Sequence, residues 1–267
     1  MKNWESTEIL RKSELKESFW YQGFFQLNFD EKDLHRRNFE ELRYRDLSLF
    51  SMGQIGSKRI LDIGCGTGLY TLTFLKLGAE FVAGQDISKE AVESASNICK
   101  RNGFSNFDIK AGNCETLLFA DNTFDLVFAG DIFEHVTTEQ KVNFINEIFR
   151  VLKPGGSLTI KTPNKSYLQV STLIRQFIAI RNFKNPFNIH IPHTKNNPDN
   201  EHHGLTTYIK LKKLFNATMF HEPVITYTSL YKSHIPRFIK TIFRKSPFFN
   251  PQIILTVRKP IFYGLYS

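Results

Sequence analysis

Cysteine is scarce in this chain and follows no pairing or metal-binding pattern. The 267 residues include three cysteines, Cys65, Cys99 and Cys114, and no C-x-x-C spacing. This excludes a small secreted scaffold held together by disulfides and a zinc site built from cysteine pairs. The cysteine content predicts a reduced, cytoplasmic protein.

Long apolar runs are also missing. None approaches the ~18 residues that a membrane-spanning helix requires. The opening segment, M-K-N-W-E-S-T-E-I-L-R-K, lacks the apolar core of a signal peptide. Any contact with a membrane is therefore expected to be peripheral, at its inner face.

Acidic residues are rare in the C-terminal part of the chain. Residues 165–267 contain 15 Lys and Arg against 3 acids, whereas residues 1–164 contain 20 against 23. The net charge of +9 therefore comes wholly from the C-terminal part. This imbalance predicts an anionic partner or membrane surface there, or else a merely solvated basic face.

The dinucleotide fingerprint G-x-G-x-x-G is absent, although residues 60–70 read I-L-D-I-G-C-G-T-G-L-Y. Leu69 occupies the place of the third glycine, and Asp62 precedes the glycines. A carboxylate at a strand end repels a pyrophosphate but attracts a cation, so we expect a ligand that carries an ammonium group. The loop residues expected beside it are Gly64, Cys65, Gly66 and Gly68.

Strand-like and helix-like segments alternate from residue 58 to residue 162, which predicts a parallel sheet. Two further alternating segments, V-I-T-Y-T and Q-I-I-L-T-V-R, predict an antiparallel edge strand. We expect one α/β domain. It consists of an N-terminal helical cap (1–57), a ligand-binding core (58–163) and a C-terminal part (164–267) that completes the sheet.

Polar residues follow the second and third predicted strands. Asp86 ends strand two, where a carboxylate can accept hydrogen bonds from both hydroxyls of a ribose. Asn113 and Cys114 follow strand three, where an amide side chain and a backbone N–H can recognise an adenine edge. An ammonium site, a ribose site and an adenine site in this order describe S-adenosylmethionine.

Residues 58–162 resemble the class I S-adenosylmethionine-dependent methyltransferases, particularly the small-molecule group that includes ubiquinone-biosynthesis enzymes. The resemblance rests on L-D-I-G-C-G-T-G, Q-D-I-S, A-G-N-C-E-T-L-L-F-A-D-N-T-F-D-L-V, E-H-V and V-L-K-P-G-G. It implies a Rossmann-like seven-stranded sheet, mostly parallel, with helices on both faces. It also implies cofactor contacts at Ile87 and Asp131. The family often has Asp where this chain has Asn113, which still offers an acceptor to the adenine amino group.

The segment D-I-F-E-H, residues 131–135, follows strand four. It resembles the E-x-x-E-H segment of ubiquinone-biosynthesis and small-RNA 2′-O-methyltransferases, which can hold a divalent cation together with a downstream histidine. If a cation is used here, the candidate ligands are Asp131, Glu134, His135 and His203, or its neighbour His202. We expect no metal, because Asp131 is one methylene shorter than the family's Glu.

Two other roles for D-I-F-E-H stay open. His135 and Glu134 are the catalytic candidates, since a base that removes the proton of an acceptor hydroxyl accelerates transfer by ~10²–10⁴-fold. Alternatively, the two side chains only cap the following helix and orient the loop.

Two basic segments, S-T-L-I-R-Q-F-I-A-I-R and I-P-R-F-I-K-T-I-F-R-K, place apolar residues on one helical face. Such helices rest on an anionic membrane, cover an apolar acceptor, or pack on the sheet. We therefore predict a methyltransferase, acting on oxygen of a small or lipid-like acceptor. The alternatives are a non-catalytic S-adenosylmethionine-binding module attached to a membrane or partner, and an RNA 2′-O-methyltransferase. Nucleic acid is disfavoured because no N-P-P-Y-like segment or stacking platform is present.

Overall fold

The computed structural model of the protein describes residues 47–191, 202, 204–221, 223–227 and 246–261. Within these ranges seven strands form a single sheet. They are β1 Arg59–Ile63, β2 Phe81–Asp86, β3 Phe107–Ala111, β4 Phe124–Gly130, β5 Leu152–Pro163, β6 Val224–Tyr227 and β7 Gln252–Arg258.

The helices of the described ranges connect these strands. They are α1 Leu69–Lys76, α2 Lys89–Arg101, α3 Gln140–Val151, α4 Lys165–Arg181 and α5 Tyr208–Asn216. Residues 47–52 are also helical. This segment belongs to the predicted N-terminal helical cap (1–57), of which residues 1–46 lie outside the described residues.

Side-chain caps explain where several helices begin. Ser88 accepts a hydrogen bond from the Ala91 N–H (3.1 Å) ahead of α2. Before α3, Thr137 Oγ1 accepts from the Gln140 N–H (3.4 Å) while Gln140 Oε1 accepts from the Thr137 N–H (3.0 Å). This reciprocal pair is a capping box, which satisfies backbone donors that the helix itself leaves unpaired. Thr137 thus binds the first residue of α3 from the turn that precedes the helix.

The strand order is β3-β2-β1-β4-β5-β7-β6. The five strands from β3 to β5 pair in parallel, whereas β7 is antiparallel to both β5 and β6. The predicted sheet, mostly parallel with an antiparallel strand near its edge, is confirmed. The antiparallel strand itself lies one place in from the edge. Its residues are mostly buried while those of β6 are mostly not, which explains why β6 is outermost.

Strand β5 begins earlier than the sequence pattern predicts. The K-P-G-G segment reads as a turn before a strand that starts at Ser157, yet β5 starts at Leu152. Leu152 pairs with Phe124, and the next pair is Leu126 with Ser157, so the segment forms an irregularity within the strand. Gly155 has a φ of 80°, a conformation that glycine adopts without strain.

Helices cover both faces of the sheet, as predicted. On one face, Phe144 and Ile148 of α3 and Phe215 of α5 pack in a buried cluster against alternate residues of β1 and β4. On the other face, Leu72 of α1 and Cys99 of α2 pack in a second cluster with the intervening strand residues. The period-two alternation of the strands therefore serves two separate cores.

Helix α4 buries little of its surface. Thr172 and Ala179 are its buried residues, whereas Phe177 is 69% exposed. The other large apolar side chains exposed on α4 and the turn after it are Leu173, Ile174, Ile178, Ile180, Phe183 and Phe187. The predicted apolar stripe therefore exists but does not pack on the sheet. The second basic segment, residues 235–245, lies outside the described residues. None of the helices in the described ranges combines the length and apolar content needed to cross a membrane.

Candidate active site

The predicted site residues follow the carboxyl ends of β1, β2, β3 and β4. These ends lie at one edge of the sheet because the four strands are parallel neighbours. The chain runs outward from β1 through β2 to β3 and then returns to place β4 on the other side of β1. Open α/β sheets bind ligands in the crevice at such a reversal point, which here lies between β1 and β4.

The glycine loop occupies this crevice. A Cβ on Gly64 would lie 2.8 Å from Cδ1 of Ile132, so the loop contacts the segment that follows β4. A Cβ on Gly68 would lie 2.8 Å from Cα of Ala95, so this glycine lets α1 approach α2. At Gly66 an added Cβ would meet nothing within 4 Å, and φ is 50°. The loop therefore borders open space at Gly66, where a ligand can approach its backbone.

Asp62 is buried at the end of β1, beneath this loop. Its Oδ2 accepts a hydrogen bond from Thr71 Oγ1 (2.7 Å) in the first turn of α1. Burial, with a smaller contribution from Asp86, raises the pKa of Asp62 to about 7 although the Thr71 bonds oppose the rise. A carboxylate held in this way favours a nearby cation, because a cation offsets the cost of ionising a buried acid.

Asp86 connects the loop to the end of β2. Its Oδ2 accepts from the Gly66 N–H (2.8 Å) and its Oδ1 from the Ser88 N–H (3.0 Å). Each carboxylate oxygen can accept a further hydrogen bond, so capacity remains for ribose hydroxyls. The adjacent Ile87 is 79% exposed, which leaves an apolar surface for a flat ring beside the acceptor.

The segment after β3 is fixed by Gln85, which the sequence analysis did not select. Its Nε2 donates to the carbonyls of Asn113 (2.5 Å) and Thr116 (3.0 Å), and its Oε1 accepts from the Leu118 N–H (3.0 Å). Asn113 is exposed, and its Oδ1 accepts from the Glu115 and Thr116 N–H groups. The Asn113 side chain thus shapes its own turn, and the predicted contact with adenine uses the acceptor capacity that remains.

The D-I-F-E-H segment follows β4 at the predicted place. Glu134 is 2% exposed, and its Oε2 accepts from Thr162 Oγ1 of β5 (3.0 Å). Burial, together with the nearby Asp131, raises the pKa of Glu134 to about 7. His135 is exposed at the mouth of the site.

A third side chain joins Glu134 and His135. The His202 ring lies 4.9 Å from the His135 ring, centroid to centroid, at an interplanar angle of 80°. One potential ligand atom each of Glu134, His135 and His202 lies within 4.8 Å of the other two. The cluster brings together the pair predicted after β4 and one of the two downstream histidines. The other, His203, lies outside the described residues.

Asp131 has a different partner. Its carboxylate forms an ion pair with the Lys161 ammonium of β5, and its φ is 54°. Burial acts to lower the pKa of Lys161, but Tyr70 and Asp131 outweigh it and raise that pKa to about 12. Asp131 therefore lies beside the cluster of Glu134, His135 and His202, but its carboxylate is paired with the Lys161 ammonium.

The family comparison agrees with this geometry. A model of the methyltransferase domain family matches residues 60–156, which include the glycine loop, Asp86, Asn113 and the segment after β4. Residues 60–156 are a class I methyltransferase domain. This class uses S-adenosylmethionine, and the open space at Gly66, the carboxylate of Asp86 and the exposed Ile87 fit that cofactor.

Curated relatives of this methyltransferase domain carry the name ubiquinone biosynthesis O-methyltransferase. One from Rhizobium etli is 33% identical over 51% of this chain and 56% of its own length. One from Coxiella burnetii is 28% identical over 62% of this chain and 65% of its own length. The chain therefore spans less than two thirds of the curated relatives it matches.

Solved structures confirm the fold of the domain. A SAM-dependent methyltransferase from Archaeoglobus fulgidus has a TM-score of 0.56 and 17% identity, covering 82% of this chain and 94% of its own. The [4+2]-cyclase SpnF has a TM-score of 0.59 and 21% identity, covering 85% of each chain. Because one neighbour is described as a cyclase, the fold alone does not decide the reaction.

Sequence reasoning missed the buried polar residues that support this methyltransferase site. Gln85, Lys141 and Lys161 are all less than a tenth exposed. Gln85 and Lys161 lie near the carboxyl ends of β2 and β5, and a polar residue at such a position was the one available signal. The signal for Lys141 is weaker, because lysine is ordinary on a helix.

Proposed function

We propose that this protein is an S-adenosylmethionine-dependent methyltransferase that transfers the methyl group to an oxygen of a small or lipid-like acceptor. The observation that carries the proposal is the position of Glu134, His135 and His202. Their potential ligand atoms lie within 4.8 Å of one another, and Glu134 and His135 belong to the segment after β4, whose Ile132 adjoins Gly64 of the glycine loop. The acceptor side thus has potential proton acceptors next to the cofactor side.

The residues of the cofactor side have distinct tasks. Asp62 favours the ammonium group of the amino-acid tail, Asp86 accepts from the ribose, and the backbone of Gly64, Cys65, Gly66 and Gly68 lets the ligand come close. Ile87, Asn113 and Cys114 border the adenine. Bound there, S-adenosylmethionine supplies a methyl group on a sulfonium that is its own leaving group. The protein has then to align the acceptor and exclude water, which contributes roughly 7–11 kcal/mol when the geometry is near ideal.

On the acceptor side, His135 is the general base and Glu134 orients it. His135 is exposed at the mouth, where an acceptor hydroxyl can reach its ring. Glu134 is held by Thr162 and has a pKa of about 7, so it can accept or release a proton near neutral pH. The curated relatives are named as O-methyltransferases, which supports oxygen as the acceptor atom.

The same three side chains also fit a divalent cation. Glu134, His135 and His202 would hold it, and it would lower the pKa of an acceptor hydroxyl. Activity measured with a chelator and with added Mg²⁺ or Zn²⁺ separates the two cases. Turnover that survives thorough chelation supports His135 as a base, whereas turnover restored by one metal assigns the cluster to a cation.

The direct test is a screen of cell extracts with methyl-labelled S-adenosylmethionine. We expect the label in a small-molecule or lipid fraction, and we expect His135→Ala to slow its transfer by ~10²–10⁴-fold with unchanged cofactor affinity. His221→Ala, an exposed histidine after α5, is the matched control.

The other outcomes of the screen contradict the proposal in defined ways. Cofactor binding without any labelled fraction would favour a non-catalytic binding module. Label on the 2′-oxygen of RNA, with steeply salt-dependent RNA binding, would favour an RNA methyltransferase.

We also propose that α4 contacts an anionic membrane. Its exposed apolar side chains, with Phe177 and Phe183 among them, support this, since a soluble surface rarely exposes so many together. Arg175, Arg181 and Lys184 are exposed in the same segment, and residues 165–191 contain no acid. The helix begins at Lys165, directly after β5, so its start lies at the edge of the sheet that bears the site. A lipid-like acceptor would then enter from the membrane.

Sedimentation with vesicles tests this contact. We expect binding to phosphatidylglycerol-containing vesicles, little binding to pure phosphatidylcholine vesicles, and a loss of at least tenfold in Phe177→Ser/Phe183→Ser. Ile209→Ser, an exposed apolar position on α5, serves as control. Equal binding by the double variant and the control would refute the contact.

A further inference from the structure

Gly204 is held at both of its backbone polar atoms. Its N–H donates to the carbonyl of Glu134 (2.7 Å), and its carbonyl accepts from the Lys141 ammonium (2.6 Å). Glu134 belongs to the segment after β4 and Lys141 to the first turn of α3. Two elements on the acceptor side of the site therefore form hydrogen bonds to one residue that is distant from both in the sequence.

The fit around Gly204 admits only glycine. A Cβ there would lie 2.0 Å from the carbonyl oxygen of Val136 and 2.9 Å from Lys141 Nζ. Val136 O is a backbone atom in the same loop as Glu134, so it cannot move aside as a flexible side chain would. The segment is thus pressed against the loop, and its path is fixed by contact as well as by hydrogen bonds.

Lys141 is suited to hold this contact. It is 6% exposed, and its ammonium lies 4.3 Å from the centroid of the Phe133 ring. Phe133 is fully buried, so its ring is held in place and the cation–π contact with the ammonium has a defined geometry. A buried ammonium is costly unless it is paired or hydrogen-bonded, and the Gly204 carbonyl accepts from it here.

We propose that Lys141, through Gly204, is a positioning residue that holds His202 against Glu134 and His135. His202 is two residues before Gly204, and its ring lies 4.9 Å from that of His135. Downstream of Gly204, the Lys165 N–H donates to the Thr206 carbonyl (3.0 Å), which ties the segment to the end of β5. That tie does not reach the loop of Glu134, which Gly204 reaches through two hydrogen bonds, one to the Glu134 carbonyl and one from Lys141. Of these two, the Lys141 bond is the one that a side-chain substitution can remove.

The functional consequence rests on the proposed function, whereas the geometric claim does not. In a methyltransferase that uses this cluster, a displaced His202 would impair the acceptor step and leave the cofactor side unchanged. The glycine loop and Asp86 make no contact with Lys141 in the hydrogen bonds described above. The effect should therefore fall on turnover and acceptor KM, not on affinity for S-adenosylmethionine.

Nuclear magnetic resonance of the full chain with labelled histidine tests the geometry directly. We expect a nuclear Overhauser contact between the ring protons of His135 and His202 in the wild type, and its loss in Lys141→Met. Lys153→Met is the matched control, because Lys153 Nζ donates to Asp125 at the far end of β4 (3.0 Å). Resonances are assigned from His135→Ala and His202→Ala.

Gly204→Ala provides a second route to the same displacement. It keeps the lysine but places a Cβ 2.0 Å from Val136 O and 2.9 Å from Lys141 Nζ, so the segment must move away and the ring contact should again be lost. This variant decides the matter if Lys141→Met does not fold. A ring contact that persists in a folded Lys141→Met, or in Gly204→Ala, would overturn the proposal. Calorimetry with S-adenosylmethionine on the same samples is read separately, since failure of the wild type to bind it would refute the proposed function alone.

Discussion

Asp62 is the buried carboxylate on which the proposed ligand class depends. Pyrophosphate-binding loops favour anions, whereas here a carboxylate lies beneath the glycines and is 2% exposed. Its pKa of about 7 means that burial outweighs the hydrogen bonds from Thr71 that favour the ionised form. A cationic ligand would reverse that balance by favouring the ionised form.

Affinity for S-adenosylmethionine should therefore rise with pH. Below pH 7 Asp62 is largely protonated in the free protein, and above pH 7 it is ionised and attracts the ammonium group. We expect affinity to increase by about tenfold between pH 6 and pH 8, with proton release on binding below pH 7.

Calorimetry of wild type and Asp62→Asn across this range measures the effect. Titration of the ligand's own amino group is common to both proteins and cancels in the ratio of affinities. A ratio that does not change with pH would show that Asp62 does not sense the ligand's charge.

Gln85 holds the segment after β3, where the proposed function places the adenine. Its amide makes three hydrogen bonds to the segment after β3, and it is 1% exposed. We expect Gln85→Leu to lower the free energy of unfolding by about 1–3 kcal/mol, because three backbone groups lose their hydrogen-bond partner. Affinity for S-adenosylmethionine should fall with it, as Asn113 loses its anchor.

Denaturant unfolding measures the change in stability of Gln85→Leu, and calorimetry measures its affinity for S-adenosylmethionine. Gln54→Leu, at an exposed position before β1, is the control. Unchanged affinity in Gln85→Leu would mean that the segment after β3 keeps its conformation without this side chain.

At the scale of elements, the sequence predicted what local patterns determine. The alternation from β1 to β5 specified a parallel sheet, which the pairing of these strands confirms. It did not predict that β5 begins at Leu152, because that depends on the pairing of Leu152 with Phe124. Nor did it decide whether α4 packs on the sheet, since an apolar stripe has the same pattern in either case.

The contact between α1 and α2 depends on Gly68. Its φ is 89°, and a Cβ would lie 2.8 Å from Ala95. We expect Gly68→Ala to destabilise the protein by about 2–4 kcal/mol, from backbone strain and from the clash together.

Gly78→Ala is a matched control for this prediction. Gly78 has a φ of 80°, but an added Cβ would meet nothing within 4 Å. The Gly78→Ala variant therefore has the backbone strain without the steric clash, and its free energy of unfolding should fall by about 1–2 kcal/mol. Equal losses in the two variants, measured by denaturant unfolding, would show that α1 and α2 do not need this close approach.

For the molecule as a whole, the sequence located most of the candidate site but not its internal contacts. The positions of Asp62, Asp86, Glu134 and His135 were predictable because each lies at or after the carboxyl end of a strand, at one edge of a parallel sheet. The pairing of Asp131 with Lys161 was not, because it joins residues 30 positions apart on neighbouring strands. The hydrogen bond from Lys141 to the Gly204 carbonyl joins residues 63 positions apart, so no local sequence pattern predicts it.

The charge asymmetry also belongs to the whole molecule. Residues 1–164, which contain most of the candidate site, have slightly more acidic than basic residues. The excess of basic residues lies in residues 165–267, which include α4 and its exposed apolar side chains. A membrane docked on α4 would lie near the site edge without drawing the site's own carboxylates toward anionic lipid. This arrangement suits an enzyme whose acceptor is partly embedded in the membrane.

The most direct measurement is a calorimetric titration of the full chain, once with S-adenosylmethionine and once with NAD. The account predicts saturable binding of S-adenosylmethionine that weakens in Asp86→Ala, and no measurable binding of NAD. Tight binding of NAD, with none of S-adenosylmethionine, would contradict it.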